Sequence, residues 1–308
     1  MIDTIYDVAI VGTGPAGMTA ALYSGRANLA TIIFGNIFDS QLAKAGDVQN
    51  YPGFDSIQGI ELVERFNSQL GKYNIVHVSS LVMRAKPGEP FTLVAESGEY
   101  HAKSVIIATG ARHRELNIPG EKEYNFRGVS YCAVCDGSFF RDKRVALIGH
   151  GDQAAKSALY LAGLCKEVII LSSLAEIETT TYKDQILAQP NIREIFNVRV
   201  LAIEGNEFVE RIRYLVKNGP EETLRVDGVF IEGGTPNSVL ALELGLALDE
   251  KGNIEVSRPD MTTKVDGVFA CGDVTGGIHQ ISKAVGEGAC AAVSAALYLK
   301  KKARKAKT

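Results

Sequence analysis

The sequence has almost no excess of either charge: 33 Lys and Arg face 36 Asp and Glu, a net of −3. No global basic field is therefore available to hold nucleic acid. No apolar run reaches the roughly 18 residues of a membrane-crossing helix. The opening MIDTIYDVAIVG has neither a charged leader nor a cleavable apolar run. No signal peptide is expected, and a reducing cytoplasm is the default compartment. Five cysteines in 308 residues are too few for a disulfide scaffold. Apolar residues are plentiful at 46%, enough for substantial cores, and the length allows one to three domains. Glycine is also abundant at 31 residues, and its placement carries more information than its number.

Three of the cysteines, Cys165, Cys271 and Cys290, are isolated. The other two stand in Cys132-Ala133-Val134-Cys135-Asp136-Gly137. This spacing lets two thiols close a small disulfide and reopen it, and C-x-x-C turns are places where thiol pKa falls. Asp136 is placed to give or take the proton that thiolate chemistry moves. Half of a four-cysteine zinc site has the same spacing and is the competing reading. It needs a second ligand pair, and neither the lone cysteines nor any His pair has ligand spacing, so no metal is expected.

The stretch DVAIVG, residues 7–12, reads as a buried strand. It runs into Gly12-Thr13-Gly14-Pro15-Ala16-Gly17, then a helical stretch, then a second strand LATIIF, 29–34. Strand, G-x-G-x-x-G, helix, strand is the context in which this motif cradles a dinucleotide pyrophosphate. The acid that should end the second strand is missing; Asn36 stands there and could bond a hydroxyl less strongly. A loop-rich stretch follows at 37–58, then a helix at 59–72 and antiparallel strands around Val82, 91–95 and 99–102. A buried strand, 104–111, ends at Thr109-Gly110. A polar, turn-rich segment places a domain boundary near residue 115. The opening unit then repeats: a strand at 143–148, Gly149-His150-Gly151-Asp152-Gln153-Ala154, a helix to about Gly163, and a strand EVIILSS. Further alternating segments lead to a turn at Gly233–Asn237. A buried strand ends at Asp273, and a helix of small apolar residues runs from His279 to about Lys301. The basic tail KKARKAKT reads as a frayed, solvated end.

Along nearly its whole length the chain resembles the low-molecular-weight thioredoxin reductases. The carrying residues are GTGPAG at 12–17, Gln41-Leu42, DVQNYPGF at 47–54, ATGA at 108–111 and CAVCDGSFF at 132–140. GHGDQAA at 149–155, GGTPN at 233–237, CGDV at 271–274 and HQISKAVGEGACAA at 279–292 complete the set. The resemblance implies an α/β fold of two Rossmann-like three-layer nucleotide-binding domains, the second inserted in the first. The FAD-binding domain would comprise 1–115 and 241–308, and an NAD(P)H-like domain carrying the C-x-x-C would span 116–240. It implies a homodimer and a thioredoxin-like partner. It places FAD on Gly12, Thr13, Gly14, Pro15, Ala16 and Gly17, and on Gln41, Asn50, Thr109, Gly110, Gly272, Asp273, His279, Gln280 and Ile281. Cys135 corresponds to the cysteine that faces the flavin, Cys132 to the one that attacks the partner disulfide, and Asp136 to the acid–base residue.

The main departures fall on the inserted domain, and those in the first domain are milder. Members that use NADPH carry a basic cluster after its second strand, where this chain reads Leu171-Ser172-Ser173-Leu174-Ala175-Glu176. A phosphate there would lack charge-assisted bonds. His150 sets a ring at the middle of the second glycine turn, and Ser40 replaces a glycine before Gln41. The second turn is accordingly read as packing a strand on its helix. A subset of the family lacking the nicotinamide site takes electrons from ferredoxin, which makes ferredoxin the expected donor. Lys44, Arg112, Arg114 and the tail residues Lys300, Lys301, Lys302, Arg304, Lys305 and Lys307 are candidates for its landing surface. The rival readings are an NAD(P)H-dependent reductase, a dithiol oxidase using oxygen, and a non-catalytic FAD redox sensor.

Overall fold

The computed structural model describes residues 4–305. The chain forms two compact units, Met1–Arg112 with Thr235–Thr308, and His113–Gly234. In the first, a five-stranded parallel sheet runs in the order Val268–Ala270, Val105–Ile107, Val8–Val11, Thr31–Phe34 and Ile75–Val78. Its inner strands are apolar on both faces because both faces are covered, as parallel sheets require. Val8 and Ile10 pack with the helices Pro15–Arg26 and Ile281–Lys305. Ala9 and Val11 pack with Leu93 and Phe91 of a four-stranded sheet on the other side. The period of two thus feeds two cores from one strand.

The second unit repeats the plan. Its parallel sheet runs Val129–Ser130, Gly228–Ile231, Arg144–Ile148, Glu167–Leu171 and Ile192–Ile195. Val145 and Leu147 face the helix Gly151–Ala162. Ala146 and Ile148 face a three-stranded antiparallel sheet made by Val198–Gly205, Val209–Val216 and Glu221–Arg225. The α/β class and the two three-layer, Rossmann-like folds agree with the expectation from sequence.

Several boundaries differ. The strand expected to end at Thr109-Gly110 stops at Ile107, and Gly110 turns the chain with φ +67°. Asp273 does not end a strand: Val268–Ala270 stops earlier, and Asp273 opens a 3-10 turn, Asp273–Thr275. The last helix begins at Ile281 rather than His279, because Gly276 and Gly277 hold left-handed conformations just before it. Gly233–Asn237 is not merely a turn but contains the short strand Gly234–Pro236. As far as Lys305 the basic tail is ordered: the helix continues through Lys305, and Lys302 pairs with Glu89 at 2.7 Å beside the Tyr298 ring. Lys307 lies outside the described residues. Among the described residues no helix is long and apolar enough to cross a membrane.

Candidate functional site

The first glycine turn leaves the strand Val8–Val11 at Gly12, with φ +116°. A Cβ on Gly12 would stand 2.1 Å from Ala108 O, and one on Gly17 would stand 1.8 Å from Gly12 O. Both positions therefore require glycine for the turn to lie against the sheet. Gly14 is different. A Cβ there would meet nothing within 4 Å. Gly14 caps the helix Pro15–Arg26 without a side-chain bond, Pro15 opens it, and no acid stands in its first turn. The positive end of a twelve-residue helix is thus left open, which suits a pyrophosphate.

The other residues assigned to this cradle come from distant parts of the same unit. Gly272, φ +80°, is so close that its Cβ would lie 2.8 Å from Ala16 Cβ. A Cβ on Gly288 of the last helix would stand 2.2 Å from Ala16 O. The Gly272-Asp273 turn is held by two residues that the sequence reading did not single out. Glu287 Oε2 accepts the Gly272 amide at 2.9 Å and the Thr275 hydroxyl at 2.9 Å. Lys283 Nζ donates to Gly272 O at 2.8 Å and pairs with Glu287 at 3.1 Å. Their i, i+4 spacing on a helix was the available signal.

Asn50 Nδ2 donates to Gln280 Oε1 at 3.0 Å, which joins residues 230 apart. Gln41 Nε2 donates to Ala111 O at 3.1 Å, and the Thr109 hydroxyl to Asn237 O at 2.5 Å. Thr13 is buried, Ile281 is half-buried, and His279 is exposed just before the helix. Asn36 is already engaged: its Oδ1 accepts the Phe38 amide and caps a 3-10 turn.

In the second unit Cys132 and Cys135 are joined by a disulfide, with Cα atoms 5.3 Å apart. Both are half-buried, on and just before the short helix Ala133–Asp136. Cys132 Sγ accepts the Cys135 amide at 3.1 Å. The S–S bond rules out this pair as half of a zinc site in this state. Burial pushes the Asp136 carboxyl up from its ordinary value, against the pull of a hydrogen bond from Ser130. Two of the lone cysteines, Cys165 and Cys271, are poorly suited to such chemistry. Burial pushes Cys165 up to about 11 with help from Asp142, and it raises fully buried Cys271 as well.

The second glycine turn, also in this unit, is closed by its own chain. The Gly151 amide, first in its helix, donates to Ile177 O at 2.5 Å. Asp152 in the first helical turn accepts the Thr179 hydroxyl at 2.7 Å, and Ile177 and Thr179 are buried. His150 is exposed, 3.8 Å from Glu178. Where a 2′-phosphate partner would be sought, Ser172 is buried and its hydroxyl caps Leu174, and Lys183 is paired with Glu176 at 3.0 Å. Behind the turn lies a residue that sequence reasoning missed. Glu232 is 6% exposed, and a Cβ on Gly149 would stand 3.0 Å from its Cβ. Burial raises its pKa, against bonds from Ser157, Gln153 and the Ala133 amide.

An open dinucleotide cradle in one unit and a reactive-type disulfide beside a raised carboxyl in the other define a nucleotide-cofactor disulfide oxidoreductase. The description pyridine nucleotide-disulphide oxidoreductase matches residues 6–288, and the chain belongs to that family. It is 38% identical over 304 residues to the thioredoxin reductase of Bacillus subtilis, covering 96% of each chain. The crystal structure of thioredoxin reductase from Streptococcus pyogenes aligns at a TM-score of 0.89 and 37% identity, over 97% of this chain and 99% of that one. A thioredoxin reductase from Giardia duodenalis aligns at 0.91 and 31%, over 97% and 100%. The chain is accordingly an FAD-dependent disulfide oxidoreductase.

Proposed function

We propose that this enzyme is a flavin-dependent thioredoxin-disulfide reductase whose electrons come from ferredoxin rather than from NADPH. The relatives' names support the thioredoxin part. The observation that carries the donor is the second glycine turn, whose first helical amide and first-turn acid are both bonded to residues of the following loop. Asp152 stands in the first turn of that helix and Glu178 lies 3.8 Å from His150, so the turn carries negative charge where a phosphate would lie.

In this reading Gly12, Gly14 and Gly17 hold the FAD pyrophosphate, with Gln41, Asn50, Thr109, Gly110, Gly272, Asp273, Gln280 and Ile281 around it. The unit formed by 1–112 and 235–308 is the FAD-binding domain, completed by the chain's own C-terminal segment, and the enzyme works as a homodimer. FAD held there would supply the conversion of single electrons into a pair. Cys135 receives that pair when the Cys132–Cys135 bond opens. Asp136 supplies the proton. Cys132 attacks the disulfide of thioredoxin, and Cys135 resolves the mixed disulfide. The step is downhill: a plant-type ferredoxin near −400 mV and a thioredoxin dithiol near about −270 mV differ by about 130 mV, roughly 6 kcal/mol for two electrons.

The test is an anaerobic titration of the FAD-loaded protein with NADPH, NADH and chemically reduced ferredoxin. Ferredoxin should bleach the flavin quickly at low salt and slowly at high salt, since screening shortens charge steering. Lys44, Arg112 and Arg114 are exposed, so reversing Arg112 or Arg114 should mimic high salt. Rapid bleaching at micromolar NADPH would restore the nicotinamide reading. No bleaching by ferredoxin at any salt, with oxygen uptake on adding a dithiol, would favour the oxidase.

A further inference from the structure

Ser130 ends the edge strand Val129–Ser130, which pairs with Gly228–Ile231 of the parallel sheet. It is 4% exposed. Its hydroxyl donates to Asp136 Oδ2 at 2.6 Å, and the Cys132 amide donates to Ser130 Oγ at 3.0 Å. One buried side chain thus joins the main chain of the first cysteine to the carboxyl beyond the second. The strand belongs to the parallel sheet, whereas the Cys132–Asp136 turn must open and close its sulfur bond. We propose that Ser130 is a positioning residue for the disulfide chemistry, holding the Asp136 carboxyl at the cysteine pair and favouring its carboxylate after the proton has left. This rests on the acid–base reading of Asp136.

The step balances as follows. When the S–S bond takes up the electron pair that the enzyme's flavin delivers, two thiolates form. One of them takes the proton of Asp136 and becomes a thiol, and Asp136 is left a carboxylate. A hydroxyl already donating to Oδ2 binds that carboxylate more strongly than the acid, because a charged acceptor strengthens the bond. In the return direction the carboxylate takes the proton back.

Burial raises the Asp136 pKa, and the Ser130 bond is the influence that lowers it. The titratable groups nearby are Cys132 and Cys135 on its own turn, Tyr160 on the helix packed against Gly137, and Glu232 beyond the Ala133 amide.

The experiment uses FAD-loaded enzyme reduced with dithionite under argon, mixed with a thioredoxin disulfide from pH 5 to 9. Four proteins are compared: wild type, S130A, D136N and the double variant, each checked for flavin content and for disulfide formation. The rate read is flavin reoxidation, the step in which the S–S bond takes the electron pair and Asp136 acts as the acid, so wild type should lose rate as pH rises through the Asp136 titration. S130A should move that limb to higher pH, because its carboxyl has lost the bond that lowered it. It should also slow the low-pH plateau about threefold to tenfold, the size of one lost hydrogen bond. D136N should abolish the limb, and S130A should add nothing in that background. A wild-type limb in S130A, or a double variant slower than D136N, overturns the Ser130 inference while the Asp136 reading stands. A D136N enzyme that keeps the wild-type limb overturns both.

Discussion

The two glycine turns occupy the same place in two copies of one fold. Each follows the middle strand of a parallel sheet, Val8–Val11 in one unit and Arg144–Ile148 in the other. The neighbouring strand ends beside each turn: Ala108 lies against Gly12, and Glu232 lies against Gly149. In the first copy the helix start is uncapped and free of acids. In the second the start carries Asp152, bonded to Thr179, and the first amide is bonded to Ile177. A helix N-terminus needs acceptors. The first copy leaves that need for a ligand, and the second meets it with its own loop. The motif G-x-G-x-x-[GA] therefore reports a fold geometry, while the residues around it decide whether a phosphate is wanted.

The largest effect concerns the disulfide that the second unit carries. Cys132→Ser or Cys135→Ser should lower turnover with thioredoxin by about a thousandfold or more, since the disulfide needs both sulfurs and none of Cys165, Cys271 and Cys290 belongs to that turn. Flavin content should remain at the wild-type level. Retained full turnover in Cys132→Ser would give the attacking role to another group and break the division of labour between the units.

A smaller but more discriminating effect comes from Gly14. Its φ is −75°, and an added Cβ meets no protein atom, so Gly14→Val should fold. The valine would instead fill the open space at the helix start. FAD affinity should fall about a hundredfold, roughly 2.7 kcal/mol. The matching change in the second copy, His150→Gly, should leave flavin content unaltered and change the rate of flavin reduction by NADPH less than tenfold. Equilibrium dialysis with FAD and stopped-flow bleaching measure the two. Rapid NADPH reduction in His150→Gly would mean that one ring, and not the loop behind it, closes the second turn.

Much of this contrast was legible in the sequence, because apolar runs and glycine spacing follow directly from a buried parallel sheet. The Cys132–Cys135 pair and the missing cations after the strand Glu167–Leu171 were legible for the same reason: local spacing carried them. The closure of the second turn was not. Thr179 lies 27 residues from Asp152, and only the tertiary path of the loop brings them together. Glu232 was invisible because an acid after a strand ordinarily reads as a solvated loop residue. At Asn36 the structure adds what the strand tip did not show: its oxygen accepts a backbone amide two residues on, which leaves the side-chain NH2 as the group that could reach a hydroxyl. The tail was misread because its charge suggested fraying, while the helix of small residues that precedes it carries the order through to Lys305.

The smallest effect tests whether the buried acid is a cost that the second copy carries. Burial raises the Glu232 carboxyl above its ordinary value of 4.5. The folded protein then holds this proton more tightly than the unfolded chain does. Stability linked to the group is fully present below pH 4.5 and is lost as pH rises through the folded value. Each unit of separation costs about 1.4 kcal/mol. Glu232→Gln keeps the size and a carbonyl acceptor for the Ala133 amide but cannot ionise. The urea midpoint of wild type should therefore fall relative to that of Glu232→Gln as pH rises from 4.5, then run parallel once the carboxyl is fully ionised. Ala108, at the matching place in the first copy, has no such group, so Ala108→Gly should shift stability by the same amount at every pH. Parallel wild-type and Glu232→Gln curves across the whole range would mean that Ser157, Gln153 and the Ala133 amide offset the burial in full. The acid would then be a satisfied anion occupying the second turn rather than a strained one.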